Sequence, residues 1–206
     1  MNKKVIIISI AGVIVVAGVA VAALSFFRQN ANQATAPANT TPPLSVDTSK
    51  DFGACDLVQK DDISFAFGDV AANLQGPDNA GLINALNGET QLCVYSFVTG
   101  GNIENSFNAS NGVSVEVLEF KDQALRDDDL SVLSDVEGVI AVEGLGESAF
   151  HRTIDGEGQT RVRHTLSVYQ DLKKYTFTVS EPVDAVTITA ASARSALETI
   201  ARGATF

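Results

Sequence analysis

Alternating apolar and polar residues in the second half of the chain predict several half-buried β-strands. Residues 112–120 read GVSVEVLEF, with Val113, Val115 and Val117 on one side. The same period of two continues in TRVRHTLSVYQ and KKYTFTV, and a less regular apolar run, QLCVYSFV, begins at Gln91. Since the side chains of a strand point alternately to its two faces, these segments predict a sheet with a buried face.

Other segments have helical patterns. Asp61 and Asp62 begin a short helix that runs through Phe67, where carboxylates favour the helix N-terminus. Residues 121–136 carry apolar side chains at roughly helical spacing, which predicts one or two turns over the sheet. ITAASARSALETIARG forms a final helix. The residues of this helix that can reach a core are Ile188, Ala191, Leu197 and Ile200.

The order of these elements predicts the fold class. A further short helix is expected around residues 82–86, closed by Asn87 and Gly88, and DGEGQ joins ESAFHRTI and TRVRHTLSVYQ as a hairpin. Strands and helices do not alternate regularly. We therefore predict an α+β fold with an antiparallel sheet of about five strands packed with helices.

The N-terminus predicts a membrane anchor. Residues 5–27 are uncharged and apolar, and a helix of this length is roughly 34 Å long, enough to cross a hydrocarbon core of about 30 Å. Lys3 and Lys4 place the N-terminus in the cytoplasm, so the chain after Arg28 is exported across the cell membrane. We predict an uncleaved signal anchor over 1–28. The alternative is a secreted protein, cleaved near Ala22.

The rest of the chain divides into a linker and a domain. Residues 29–50 are dominated by Ala, Asn, Thr and Pro, with few large apolar residues, which predicts a flexible linker. Residues 51–206 are enough to bury a sizeable core and form the extracytoplasmic domain. All acidic residues follow the anchor, and the chain has a net charge of −11. This charge argues against nucleic-acid binding and against contact with anionic lipid.

Cys55 and Cys93 are the only two cysteines. An even count in an exported domain favours a disulfide, which would stabilise the fold by roughly 4 kcal/mol through a loop of about 38 residues. The alternative is a catalytic thiol, which needs a nearby histidine, and the nearest one in sequence, His151, is distant.

The motifs CDLVQKDDISFAFG, CVYSF and VEGLGESAF, followed by an Ala-rich final helix, resemble exported actinobacterial-type Gram-positive proteins. These are two-cysteine lipoproteins of unknown function with an α+β sandwich similar to PsbP-like domains. The resemblance covers most of 51–204 and implies that Cys55 and Cys93 are bonded; it implies no activity. This chain lacks the lipid-modified cysteine, and it has no tryptophan where relatives often place an aromatic residue after the second cysteine, a place that Tyr95 could fill.

The two histidines do not predict a metal site. Val162, His164 and Leu166 share one strand face, and Phe150 and Ile154 share a face of the preceding strand with Arg152 between them. If both apolar sets face the core, His164 points inward and His151 points outward, although a one-residue slip would reverse one of them. A two-histidine site needs both on one face.

Few other residues indicate chemistry. GLGESAF lacks the spacing of a nucleophile elbow, and DGEGQ has too few oxygen ligands for calcium. Arg152, Arg161 and Arg163 form a basic spot on the hairpin that could hold an anionic ligand or the carboxylates of a partner. The alternative is that these arginines pair with acids across the sheet.

These patterns predict a membrane-anchored extracytoplasmic domain that binds a protein or envelope component. We predict no catalytic, cofactor-binding or metal-binding residues and no enzymatic activity. The alternatives are a cell-envelope hydrolase and an accessory or sensor subunit of a membrane complex. A deep cleft with convergent polar groups would favour an enzyme, and an exposed apolar or arginine patch would favour binding.

Overall fold

A computed structural model describes residues 51–84, 87–97, 111–155 and 158–206, without the side chains of 79–84. These residues belong to the same compact unit of the chain. The predicted anchor (1–28) and linker (29–50) lie outside the described residues. In the described part of the chain, no helix is both long enough and apolar enough to cross a membrane.

In the described residues the fold is an antiparallel sheet with three α-helices, which confirms the α+β prediction. The helices are α1 (Lys60–Phe67), α2 (Gln123–Ser134) and α3 (Ala190–Gly203). The strands are β1 (Gln75–Asn84), β2 (Gly88–Ser96), β3 (Gly112–Phe120), β4 (Ile140–Ala141), β5 (Ser148–Ile154), β6 (Arg161–Gln170) and β7 (Lys173–Pro182). Their order across the sheet is β1-β2-β3-β7-β6-β5-β4, and every neighbouring pair is antiparallel.

The prediction of about five strands was wrong because two edge strands have weak patterns. β1 occupies residues predicted as a helix around 82–86, of which 85–86 lie outside the described residues. Its pairing with β2 has two register irregularities, and such bulges break the period of two that marks a strand. β4 has only two residues, too few to show any period.

The inner face of the sheet is covered by α1 and α3, which contact each other. Val115, Phe177 and Leu166 from three central strands are fully buried there. The residues that α3 buries are Ala193, Ala196, Leu197, Ile200 and Ala201. The prediction that Ala191 reaches the core was wrong, since this residue is exposed.

A disulfide joins the segment before α1 to the inner face of β2 and confirms the predicted pairing. Cys55 and Cys93 are bonded with a Cα–Cα distance of 5.1 Å, so the catalytic-thiol alternative is excluded. Nearby, Gln91 Oε1 accepts hydrogen bonds from the backbone of Phe52 (2.9 Å) and Ala54 (3.1 Å). These bonds hold the entry to α1 against the sheet, and we refer to this region as the staple end.

The opposite, outer face is covered at one end by α2. Asp129 of α2 accepts hydrogen bonds from Tyr169 Oη (2.5 Å) and Lys174 Nζ (2.8 Å). Arg126 is buried beside the Tyr169 ring and bonds to Glu147. The sheet is therefore packed on both faces near the end of β6. For this reason, apolar residues of the neighbouring strand β5 can be buried on either face.

Candidate functional site

A cleft of about 470 Å³ lies between the first half of α3 and the sheet edge formed by β4 and β5. We call it the α3–β5 cleft. Its polar wall consists of His151, Thr153, Arg194, Ser195 and Glu198. Its remaining wall consists of Gly138, Ile140, Ala190 and Ala191. The volume is in the range of small-molecule sites, which are mostly apolar with a few convergent polar groups.

The strand register brings both histidines beneath α3. His151 lies opposite Leu166 and Thr153 lies opposite His164, so all four side chains share the inner face. The two imidazole rings are stacked, with centroids 6.3 Å apart and planes 11° from parallel. The prediction that His151 points outward was therefore wrong, since only 3% of its surface is exposed.

Phe150 explains this error. It is the largest apolar residue of β5, but its ring lies on the outer face, edge-on to Tyr169 at 6.4 Å. The small side chain of Ala149 faces inward instead. Because the outer face is packed here as well, apolar size does not indicate which side of β5 is buried.

The two histidines differ in their hydrogen bonds. His164 Nδ1 pairs with Thr153 Oγ1 at 3.0 Å. His151 Nε2 is buried and has no hydrogen-bond partner within the described residues. An unpaired buried polar atom is rare in a native protein and requires an explanation. Within the described ranges, no group of three or more His, Cys, Asp or Glu could hold a metal ion.

Burial lowers the pKa of both histidines below the ordinary value of 6.5. The neighbouring His164 and Arg194 lower the pKa of His151 further, and Glu198 partly opposes them. Both imidazoles are therefore neutral at pH 7, and each carries one N–H.

The charged residues of the α3 wall, Arg194 and Glu198, are paired with each other, and Arg202 adds a positive charge from outside the cleft lining. Arg194 Nε donates to Glu198 Oε1 at 2.8 Å, and Arg202 Nη2 lies 3.6 Å from Glu198 Oε2. Two guanidinium groups thus share one carboxylate. Within the described ranges, Arg194 makes no hydrogen bond through its two Nη groups, so these donors remain available.

A second cavity of about 360 Å³ lies near the end of β7, and its lining includes Asn111, whose buried Oδ1 also has no partner in the described part of the chain. Its carboxylate, Glu181, is buried and accepts hydrogen bonds from Thr187 N, Thr187 Oγ1 and Ile188 N. These bonds fix the turn that leads into α3, so Glu181 has a structural role.

The structure brings the predicted arginines together, but away from the cleft. Arg152 lies opposite Thr165, and Arg163 lies opposite Ile154. Together with Arg161, these side chains lie half-buried on the outer face. Among the described residues, no carboxylate lies within 4.0 Å of Arg152 or Arg163, so cross-sheet ion pairs do not account for these two.

The polar residues of the cleft were not predicted from the sequence. On α3, Ala191, Arg194, Ser195 and Glu198 recur at helical spacing and form a stripe beside the core stripe. This helical spacing is the sequence feature from which the α3 side of the cleft could have been predicted. On β5, His151 and Thr153 belong to the strand face that was predicted to point outward.

No protein-family model matches this chain, and no curated protein matches it. The resemblance to actinobacterial-type two-cysteine lipoproteins therefore stays a prediction.

Proposed function

We propose that this chain is a membrane-anchored extracytoplasmic domain that binds an envelope component or a protein, with the α3–β5 cleft as its binding site. The observation that carries this proposal is the buried Nε2 atom of His151, which lacks a partner in the described part of the chain, in a residue that lines the cleft. An unpaired buried polar group costs about 1–3 kcal/mol. This atom is covered by its neighbours, so a ligand in the cleft would supply the missing partner after a local movement of the cleft wall.

Two features support an exported, anchored location. The apolar run 5–27 is long enough to cross a membrane, and the preceding lysines favour a cytoplasmic N-terminus. The Cys55–Cys93 disulfide is typical of an oxidising compartment. Arg152, Arg161 and Arg163 stay a predicted second surface, suited to acidic groups of a partner.

We propose binding rather than catalysis because the cleft residues are not connected as a nucleophile and its base. Ser195 and His151 line the same cleft, but no hydrogen bond in the described part of the chain joins them. Glu198, the acid that would orient a catalytic histidine, is paired with Arg194 instead. A cell-envelope hydrolase and an accessory or sensor subunit of a membrane complex are the alternative functions.

Site-specific photo-cross-linking of the full-length protein in its own membrane tests the proposal. A small aliphatic diazirine amino acid, which leaves most of the cleft open, replaces Ala191 in the cleft or, as a control, Thr199, which lies outside the cleft lining on the same helix. We expect an adduct of defined mass at position 191 that is absent at position 199. Failure to form an adduct at 191, or identical adducts at both positions, would contradict the proposed site.

The same experiment separates binding from hydrolysis. The identified molecule is incubated with the wild-type protein and with Ser195→Ala. Binding without turnover predicts that both proteins return it intact. Cleavage by the wild type and not by Ser195→Ala would replace the binding proposal with the hydrolase alternative.

A further inference from the structure

We propose that the α3–β5 cleft recognises a small acid with an apolar chain, with its carboxylate between the first turn of α3, Arg194 and His151. This inference rests on the proposed binding function and adds the chemistry of the ligand. Three groups on the cleft wall favour an anion, and the rest of the wall suits an apolar chain.

The first turn of α3 supplies free backbone donors. The first four N–H groups of a helix have no partner within the helix. Of these, Ser192 N donates to Thr189 Oγ1 (3.2 Å), whereas Ala193 N donates to the Thr189 carbonyl (2.8 Å) as the first bond of the helix. In the described part of the chain, the N–H groups of Ala190 and Ala191, which line the cleft, have no hydrogen-bond partner. The partial positive charge of a helix N-terminus also favours an anion.

Arg194 lies one turn further along the same wall. Its Nε is bonded to Glu198, which also lines the cleft and would repel an anion if it were unpaired. Arg202 offsets this charge from the other side of Glu198. The Nη groups of Arg194 can therefore donate to a carboxylate with a net positive charge behind them.

His151 adds a third donor from the strand side. The residue is buried by more than nine-tenths, and its unpaired Nε2 can carry the single proton of the neutral ring. A carboxylate at the wall would select this tautomer and satisfy the buried atom. Thr153 is already paired with His164, so His151 is the polar group of β5 that has a place for a ligand.

The other wall indicates the apolar part of the ligand. Ile140 is 47% exposed although it lies in a strand, and it lines the cleft with the methyl groups of Ala190 and Ala191. An apolar chain would cover this surface and remove it from water. A cavity of about 470 Å³ suits a small molecule.

Histidine NMR gives a direct test, because the chain has only two histidines. The full-length protein is labelled with ¹⁵N only in histidine and placed in lipid nanodiscs, and His151→Leu assigns the two ring signals. The probes are hexanoate and its neutral isostere hexanamide at pH 7.5. We expect hexanoate to shift the His151 ring signals and to bind roughly tenfold or more tightly than hexanamide.

Matched variants locate the carboxylate. Arg194→Gln should weaken the binding of hexanoate by roughly tenfold or more and leave the affinity for hexanamide little changed. Ala190→Pro removes one free N–H at the first helical position, where proline is tolerated, and should weaken only hexanoate. Thr189 already has the extended backbone that a following proline requires (φ −75°, ψ 156°). Lys60→Gln, which removes a positive charge from α1, is the control and should change neither affinity.

The outcomes separate this inference from the proposed function. If hexanoate and hexanamide bind equally well, the inference that the cleft recognises a carboxylate is overturned, while the cleft remains a binding site. A shift from neither probe would also overturn it, and cross-linking at position 191 then decides independently whether the cleft binds. Tighter binding of acetyl-Ala-Ala-Val with a free C-terminus than of hexanoate would replace the small acid with a protein C-terminus.

Discussion

The staple end and the α3–β5 cleft lie on the same inner face of the sheet, but their buried polar groups differ in whether they have hydrogen-bond partners. At the staple end, Gln91 Oε1 accepts from two backbone N–H groups, and Tyr95 Oη donates to the carbonyl of Val58 at 2.5 Å. At the cleft, His151 is as deeply buried as these groups, yet its Nε2 has no partner in the described part of the chain.

This difference separates residues that stabilise the fold from residues available to a ligand. A buried hydrogen bond contributes about 1 kcal/mol net, whereas an unpaired buried group costs free energy. The staple end has a covalent bond and satisfied polar groups, so its chemistry is complete within the chain. In the described part of the chain the cleft has donors without acceptors, and this is the basis of the proposal that another molecule binds there.

Removing the disulfide breaks the staple end and has the largest expected effect. Replacing Cys55 and Cys93 together by alanine should lower the free energy of unfolding by about 4 kcal/mol, because the bond closes a loop of 38 residues. Urea unfolding of the full-length protein in nanodiscs measures this loss. If the folded variant also lost its affinity for hexanoate, the two regions would not be independent as proposed.

Lowering the pH should reduce the free energy of unfolding through the two buried histidines near the α3–β5 cleft. Because burial lowers the folded-state pKa of His151 and His164, the unfolded chain binds more protons once the pH falls below about 6.5. Stability is then lost as the pH falls from that value toward the folded-state pKa, by at most about 1.4 kcal/mol per histidine between pH 7.5 and 5.5.

Urea unfolding at pH 7.5 and 5.5 checks this, with His151→Leu as the comparison. The carboxylates titrate in both proteins, so the difference between them isolates the histidine. The variant should lose less stability than the wild type over this interval. An equal loss in both proteins would mean that His151 does not resist protonation.

Tyr95→Phe tests a satisfied group at the staple end. Burial raises the pKa of Tyr95 to about 12, so its hydroxyl remains a donor near neutral pH. Its removal leaves the Val58 carbonyl without this hydrogen bond and should cost about 1–2 kcal/mol of unfolding free energy. No change in the urea midpoint would show that the bond contributes nothing to stability.

His151→Leu tests the unsatisfied group and should have the smallest effect at pH 7.5. The substitution keeps a similar volume and removes a polar atom that has no partner among the described residues, so stability should change by less than about 1 kcal/mol. Hexanoate binding should nevertheless be lost. A stability loss above about 2 kcal/mol would assign His151 a structural role instead.

Much of the fold was predictable because its central strands follow a simple pattern. Val113, Val115 and Val117 alternate on β3, and Tyr175, Phe177 and Val179 alternate on β7, as the buried inner face requires. Asp61 and Asp62 in the first turn and Gly68 at the end mark α1 correctly. The period fails at the edges, where β1 has irregular pairing and β4 is too short.

The cleft was not predictable, for two physical reasons. Its walls come from residues near 140, 151 and 194, which only the folded sheet and helix bring together. In addition, Phe150 packs against Tyr169 on the outer face, so the apolar side of β5 misidentifies the inner face. Arg194 and Glu198 look like an ordinary exposed helix pair until the strand edge beside them is known.

Native mass spectrometry of the full-length protein, gently released from its own membrane, tests the central claim most directly. Wild type is compared with Ala191→Trp, which fills the cleft, and with Thr199→Trp, which places the same side chain on the exposed helix surface. We predict that wild type and Thr199→Trp retain a bound small molecule that Ala191→Trp lacks. If Ala191→Trp retains the same molecule, or if all three proteins have the mass of the bare chain, the cleft is not the binding site.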